Sequence, residues 1–145
     1  MPSTGDRPVE PTDLLGCWQF ERRIVDRDAS GMRFGRVTGT LHFSLDADAV
    51  DWRERGTLTW NGRELAVFRN LRIVRCGDGW MVRFDDGRDF HPWRPGAPVV
   101  HPCREDTYRG LITVDRAGDR LRVVWDVGGP DKDRRLFTRA TRTTR

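Results

Sequence analysis

The chain has 145 residues, 37% of them hydrophobic and 33% charged, which is the size of one compact domain and excludes collagen, coiled-coil and wholly disordered classes. Folding at this length buries roughly 68–70% of the unfolded surface, so a core can form without metal or disulfide. The net charge of +4 is the small difference between 26 basic and 22 acidic residues interleaved from Arg7 to Arg145, with Lys132 the only lysine. Nucleic-acid binding needs a concentrated basic patch; this pattern has none, and no nucleic-acid partner is expected.

Residues 1–13 carry three prolines and no apolar rhythm, so they read as a disordered lead-in to a single domain over 14–145, with room for one short helical turn at Pro11 to Leu15. From Gly16 onward apolar and polar residues alternate with period two. The pattern predicts strands near 17–26, 33–45, 52–60, 64–75, 79–85, 88–93, 107–115, 120–127 and 134–142. Asn61-Gly62, Gly77-Asp78-Gly79, Asp86-Gly87 and Ala117-Gly118-Asp119 supply residues tolerant of positive φ and mark the hairpin turns. No segment carries a helical stripe over three turns. Short sequential turns between so many strands predict an all-β antiparallel meander, closed into a barrel of about 8–10 strands because closure removes exposed edges; a flattened β-sandwich is the alternative.

Cys17, Cys76 and Cys103 are odd in number and contain no C-x-x-C, which argues against both a disulfide framework and a thiolate zinc site and predicts a reducing, cytoplasmic setting. The N-terminal residues lack an apolar signal core, and uncharged stretches such as Pro95 to Cys103 fall far short of the ~20 residues of a spanning helix. No membrane partner is expected.

Strand parity predicts the interior. Trp18, Phe20 and Ile24 share one face of the first strand; Val37, Leu41, Phe43 and Leu45 of the second; Trp52, Leu58 and Trp60 of the third; Leu65, Val67, Leu71 and Ile73 of the fourth. The same parity forces Arg22, Glu54 and Arg69 onto apolar faces. Buried charges must pair, reach the barrel mouth or face a wet or ligand-filled cavity. Two readings stand: an internal ion pair, Arg22–Glu54 or Arg69–Glu54, with a bulge free to shift one of them outward; or an arginine fork that binds a carboxylate, phosphate or enolate.

From Phe90 to Tyr108, Pro92, Pro95, Pro98 and Pro102 stiffen a connection too long for a simple hairpin, and residues 91–106 read as a loop covering the mouth. His91 and His101 bracket it; Cys103, Asp106 and Tyr108 follow. Asp106 could orient His101 as an acid or base with Tyr108 as partner. His91, His101 and Cys103 could ligate metal or haem, though H-x9-H-x-C has no second half. Otherwise these side chains hydrogen-bond the loop backbone and Cys103 is a small buried hydrophobe. His42 faces solvent by parity, and Gly128-Gly129-Pro130 reads as a turn because it lacks a Walker spacing.

Gly16-Cys17-Trp18 at the start of the first strand, with Arg139 and Arg142 near the end of the last, resembles the calycin plan of lipocalins and their relatives. There a G-x-W opens the barrel and a late arginine packs across that tryptophan, so either arginine here is a candidate for a cation–π contact with Trp18. The wider string, including FHPW, HPCREDTYRG, WDVGGPDKD and FTRATR, is similar to a family of small bacterial lipocalin-like domains over nearly the whole chain from Leu14. That resemblance implies a calycin-like barrel and no particular reaction. Nitrobindin-like haem barrels are a more distant likeness, and Phe20 and Arg22 stand where their later opening glycines would be.

The expected function is binding of a small hydrophobic or anionic molecule inside the barrel. Trp18, Phe43, Trp52, Trp60, Phe84 and Trp125 are its expected lining, Arg22 and Arg69 its anion contacts, and Glu54, His91 and Arg139 complete the binding set. The alternative is an enzyme of cyclase, isomerase or decarboxylase type with His101, Asp106 and Tyr108 as acid–base groups. A protein-interaction module would need exposed apolar strands. No metal or cofactor is expected, haem being the alternative, and the chain is expected to be a monomer or homodimer.

Overall fold

The computed structural model describes residues 7–145. Ten antiparallel strands form one sheet: β1 (Gly16–Asp28), β2 (Gly31–Asp46), β3 (Ala49–Trp60), β4 (Arg63–Cys76), β5 (Gly79–Phe84), β6 (Asp89–Pro92), β7 (Val99–Cys103), β8 (Asp106–Val114), β9 (Arg120–Gly129) and β10 (Lys132–Thr144). Each strand pairs with its neighbour in sequence except β6 and β7, and β10 returns to pair with β1. The sheet therefore ends at β6 and β7, which lie against each other without a ladder, and the meander is a nearly closed barrel. No helix among the described residues is long and apolar enough to cross a membrane.

The pattern predicts nine strands; the tenth is β7, inside the segment read as a loop. Prolines hid it. Proline lacks the N–H that a central strand must donate, so its place in a sheet is an edge. Pro92 and Pro102 sit on β6 and β7, the two edge strands, each in register with a single neighbour. The expected 91–106 lid is thus barrel wall, interrupted by the turn that precedes β7 and by a tight β7–β8 hairpin with Arg104 at φ 58°.

Of the N-terminal reading, the short helical turn is present, but the disordered lead-in needs correction, because residues 9–13 pack against the barrel. A single 3-10 turn spans Pro11–Leu14, with both of those residues buried. Three indoles hold the segment: Trp18 Nε1 donates to the Leu14 carbonyl at 2.9 Å, Trp93 Nε1 to the Val9 carbonyl at 2.8 Å, and Trp80 Nε1 to the Glu10 carboxylate. Residues 1–6 of the expected lead-in lie outside the described residues. Arg142, not Arg139, closes this end. Its guanidinium lies 4.6 Å from the Trp18 ring centre and donates to the carbonyls of Asp13, Leu15 and Gly118 at 2.6, 2.6 and 2.7 Å.

Parity places most of the core correctly, from Trp18 and Leu41 to Trp52 and Ile73. Leu45 and Leu65 are exceptions, exposed because they stand near strand ends where the wall has no neighbour to cover them. Two glycines make room inside. A Cβ on Gly110 would lie 2.6 Å from the Trp125 ring, which rests on that bare backbone. A Cβ on Gly56 would lie 2.5 Å from the Thr38 carbonyl oxygen, so this inward position of β3 stays empty.

Candidate functional site

Arg22, Glu54 and Arg69 all point inward and meet. Register explains it: Glu54 faces Arg69 directly across β3–β4, and Arg22 reaches over from β1. Arg22 Nη2 contacts both Glu54 oxygens at 3.0 Å, and Arg69 Nη2 contacts Glu54 Oε2 at 3.2 Å. Arg22 Nε donates to Thr138 Oγ1 on β10 at 2.8 Å. Sequence reasoning missed Thr138, although it lies opposite Arg22 in the ladder and inward by the parity it shares with Ala140. Burial alone would raise the Glu54 carboxyl; the charges of Arg69 and Arg22, and then their hydrogen bonds, outweigh it and hold the group below the usual carboxylate range. One carboxylate between two guanidiniums leaves a surplus positive charge.

This triad borders a cavity of about 180 Å³ whose remaining wall is chiefly apolar, Phe20, Ile24, Val37, Leu58, Val67 and Leu136, with Gly56 contributing no side chain and the exposed Arg55 at its border. Phe68, 78% exposed, stands at its mouth. The expected lining needs correction. Trp18, Phe43, Trp52, Phe84 and Trp125 fill the interior elsewhere, packed on each other and on Phe90, and Trp60 lies half-buried against Gly35. The packed rings leave no room among themselves, and this cavity opens where aliphatic side chains and Gly56 stand beside the triad. Two buried donors, Arg69 Nε within the triad and Trp52 Nε1, have no acceptor among the described residues. The Arg69 guanidinium carbon lies 6.0 Å from the Trp52 ring centre.

His91 and His101 belong to an aromatic cluster beyond the triad. Val82 pairs with His91 and Arg83 with Asp89, so Phe90 is the extra residue of a β-bulge, and Phe90 and His91 are both buried although consecutive. Phe90 stacks between Phe84 at 4.5 Å and Trp125 at 4.9 Å, with the His101 ring edge-on at 5.2 Å. His91 Nδ1 lies 2.8 Å from its acceptor, the Pro92 carbonyl. Burial pushes the His91 imidazole below its ordinary value; that hydrogen bond opposes the shift, and the charges of Arg69 and His101 add to it.

Folding therefore disfavours the imidazolium, and the unfolded chain binds the His91 proton more readily. Stability from this residue is complete above the unfolded value of 6.5 and falls as the pH drops below it. Urea denaturation midpoints should rise from about pH 5 to 6.5, and His91→Phe should flatten that rise by up to one proton's worth of slope.

The expected acid–base group does not assemble. His101 faces Tyr108 across β7–β8 with ring centres 5.9 Å apart, but Asp106 pairs with Lys132 Nζ at 3.1 Å and makes no hydrogen bond to His101. Arg139 is exposed and lies over Phe137, away from the interior where it was expected. Cys103, expected buried, is exposed, as are Cys17 and Cys76, and all three are free thiols. No group of three or more His, Cys, Asp or Glu side chains placed to hold a metal occurs among the described residues.

Solved structures with a similar course of chain include a protein of unknown function from the DUF3598 family of Nostoc punctiforme PCC 73102, at TM-score 0.57 and 12% identity, matched over 99% of this chain and 52% of the other. An AttH-type protein from Nitrosomonas europaea is matched over 99% of this chain and 56% of the other at 10% identity, but its TM-score of 0.31 carries no weight. The chain thus spans about half the length of both, and the first likeness speaks to fold alone. The comparison with curated proteins gives no match. The family model for DUF6314 matches residues 14–142, nearly the whole barrel, and the chain belongs to that family of unknown function.

Proposed function

We propose that this is a calycin-like binding barrel for a small, partly apolar anion held against Arg22 and Arg69. The observation that carries this reading is the surplus guanidinium charge bordering an otherwise mainly apolar cavity. An ion pair serving structure alone needs one arginine; the second leaves charge that a carboxylate can neutralise. Size narrows the class: a dry cavity of about 150 Å³ takes benzene, so 180 Å³ suits an aromatic or short-chain carboxylate. The three exposed free thiols fit a reducing compartment.

Benzoate titrated calorimetrically is the direct test. Arg69→Leu should weaken binding by about 10- to 100-fold, the worth of a charged hydrogen bond, and Arg139→Leu on the outer face should leave it unchanged. Equal affinity in Arg69→Leu and the parent protein, or no binding of benzoate and short-chain carboxylates by the parent, overturns the reading.

A further inference from the structure

Arg22 is held by more than its ion pair. Its Nη2 donates to both Glu54 oxygens at 3.0 Å, its Nε to Thr138 Oγ1 at 2.8 Å, and its guanidinium carbon lies 5.1 Å from the Phe20 ring centre. Arg69 hydrogen-bonds only to Glu54 among the described residues. The buried polar or charged residues among those described are Glu54, His91 and Thr138, and two of the three serve Arg22. A guanidinium is planar and rigid, so partners on Nε and Nη2 also fix where Nη1 lies. Nη1 is the nitrogen of Arg22 that has no hydrogen-bond partner among the described residues, on a side chain that borders the cavity.

We propose that Thr138 is a positioning residue of the anion site: with Glu54 it fixes the plane of the Arg22 guanidinium, and the ligand's carboxylate is taken by Nη1, the nitrogen they leave free. This assignment rests on the binding reading above. Thr138 is not part of the cavity wall, so its effect on a ligand passes through Arg22. The ladder sets the two residues directly opposite each other on β1 and β10, and the β-branched threonine side chain is stiff, so the tether is short and has little freedom. Its hydroxyl is also neutral. It orients the guanidinium without cancelling its charge, whereas a carboxylate at this position would neutralise the surplus that the ligand needs.

Calorimetric titration of benzoate into the full chain and its variants tests the assignment. Thr138→Val, which keeps the shape and removes the hydroxyl, should weaken binding about tenfold, and Thr138→Ser, which restores the hydroxyl, should bind within about twofold of the parent. Thr138→Ala gives the same reading should the valine variant not fold. Ile112→Val on β8, buried but outside the cavity wall, controls for stability and should leave the affinity unchanged. Parent-like binding by Thr138→Val, a serine variant as weak as the valine one, or an equal loss in Ile112→Val overturns the positioning role while the binding reading stands. A parent that does not bind benzoate or short-chain carboxylates overturns both.

Discussion

Glu54→Leu is expected to destabilise the barrel by about 3–5 kcal/mol, more than the loss of either arginine of the triad, because it strands the guanidinium of Arg22. The Arg22 side chain is only 13% exposed and has Thr138 as its other partner, so it cannot turn to water without breaking the β1–β10 contact. Arg69, 36% exposed, can relax toward solvent and contributes less to the loss. A triple variant, Arg22→Met with Glu54→Leu and Arg69→Met, should recover most of the stability, since a buried charge network replaced by apolar groups of similar volume is often neutral. It should also lose benzoate binding. Denaturant unfolding separates the cases: a loss below about 1 kcal/mol for Glu54→Leu would mean that the triad is solvated and its charge of little use to a ligand.

Arg142→Met should cost about 3 kcal/mol, or roughly 6–12 °C in Tm, while retaining much of the aliphatic contact with Trp18. Arg142 joins three separate segments, donating to Asp13 and Leu15 before β1 and to Gly118 between β8 and β9. Methionine fills the volume but leaves those carbonyls without their charged donor, and the seal over Trp18 opens. A red shift of tryptophan emission should accompany the loss of stability. Arg139→Met, on the outer face, should change Tm by no more than a surface substitution does. Equal effects of the two variants would refute the assignment of Arg142 as the closing residue.

Much of this was legible because a strand has period two. Alternation alone turns Arg22, Glu54 and Arg69 inward, and it predicts the meander whose adjacent strands bring Glu54 opposite Arg69. Where alternation was a poor guide, a specific device intervened. The bulge at Phe90 buries two consecutive residues, Phe90 and His91, and edge prolines disguise β7 as loop. The N-terminal turn has too few apolar residues to show a rhythm, yet its backbone carbonyls and Glu10 accept hydrogen bonds from three indoles far along the chain.

By itself the sequence determined the fold class, the order of most strands and the presence of charge inside the barrel, because each depends on local periodicity and turn chemistry. The tertiary structure decided which arginine closes the end, which apolar residues border the cavity, and that Asp106 serves Lys132 instead of His101. Those outcomes depend on strand stagger and on how rings share a fixed interior volume, and both are set only when strands distant in sequence come together.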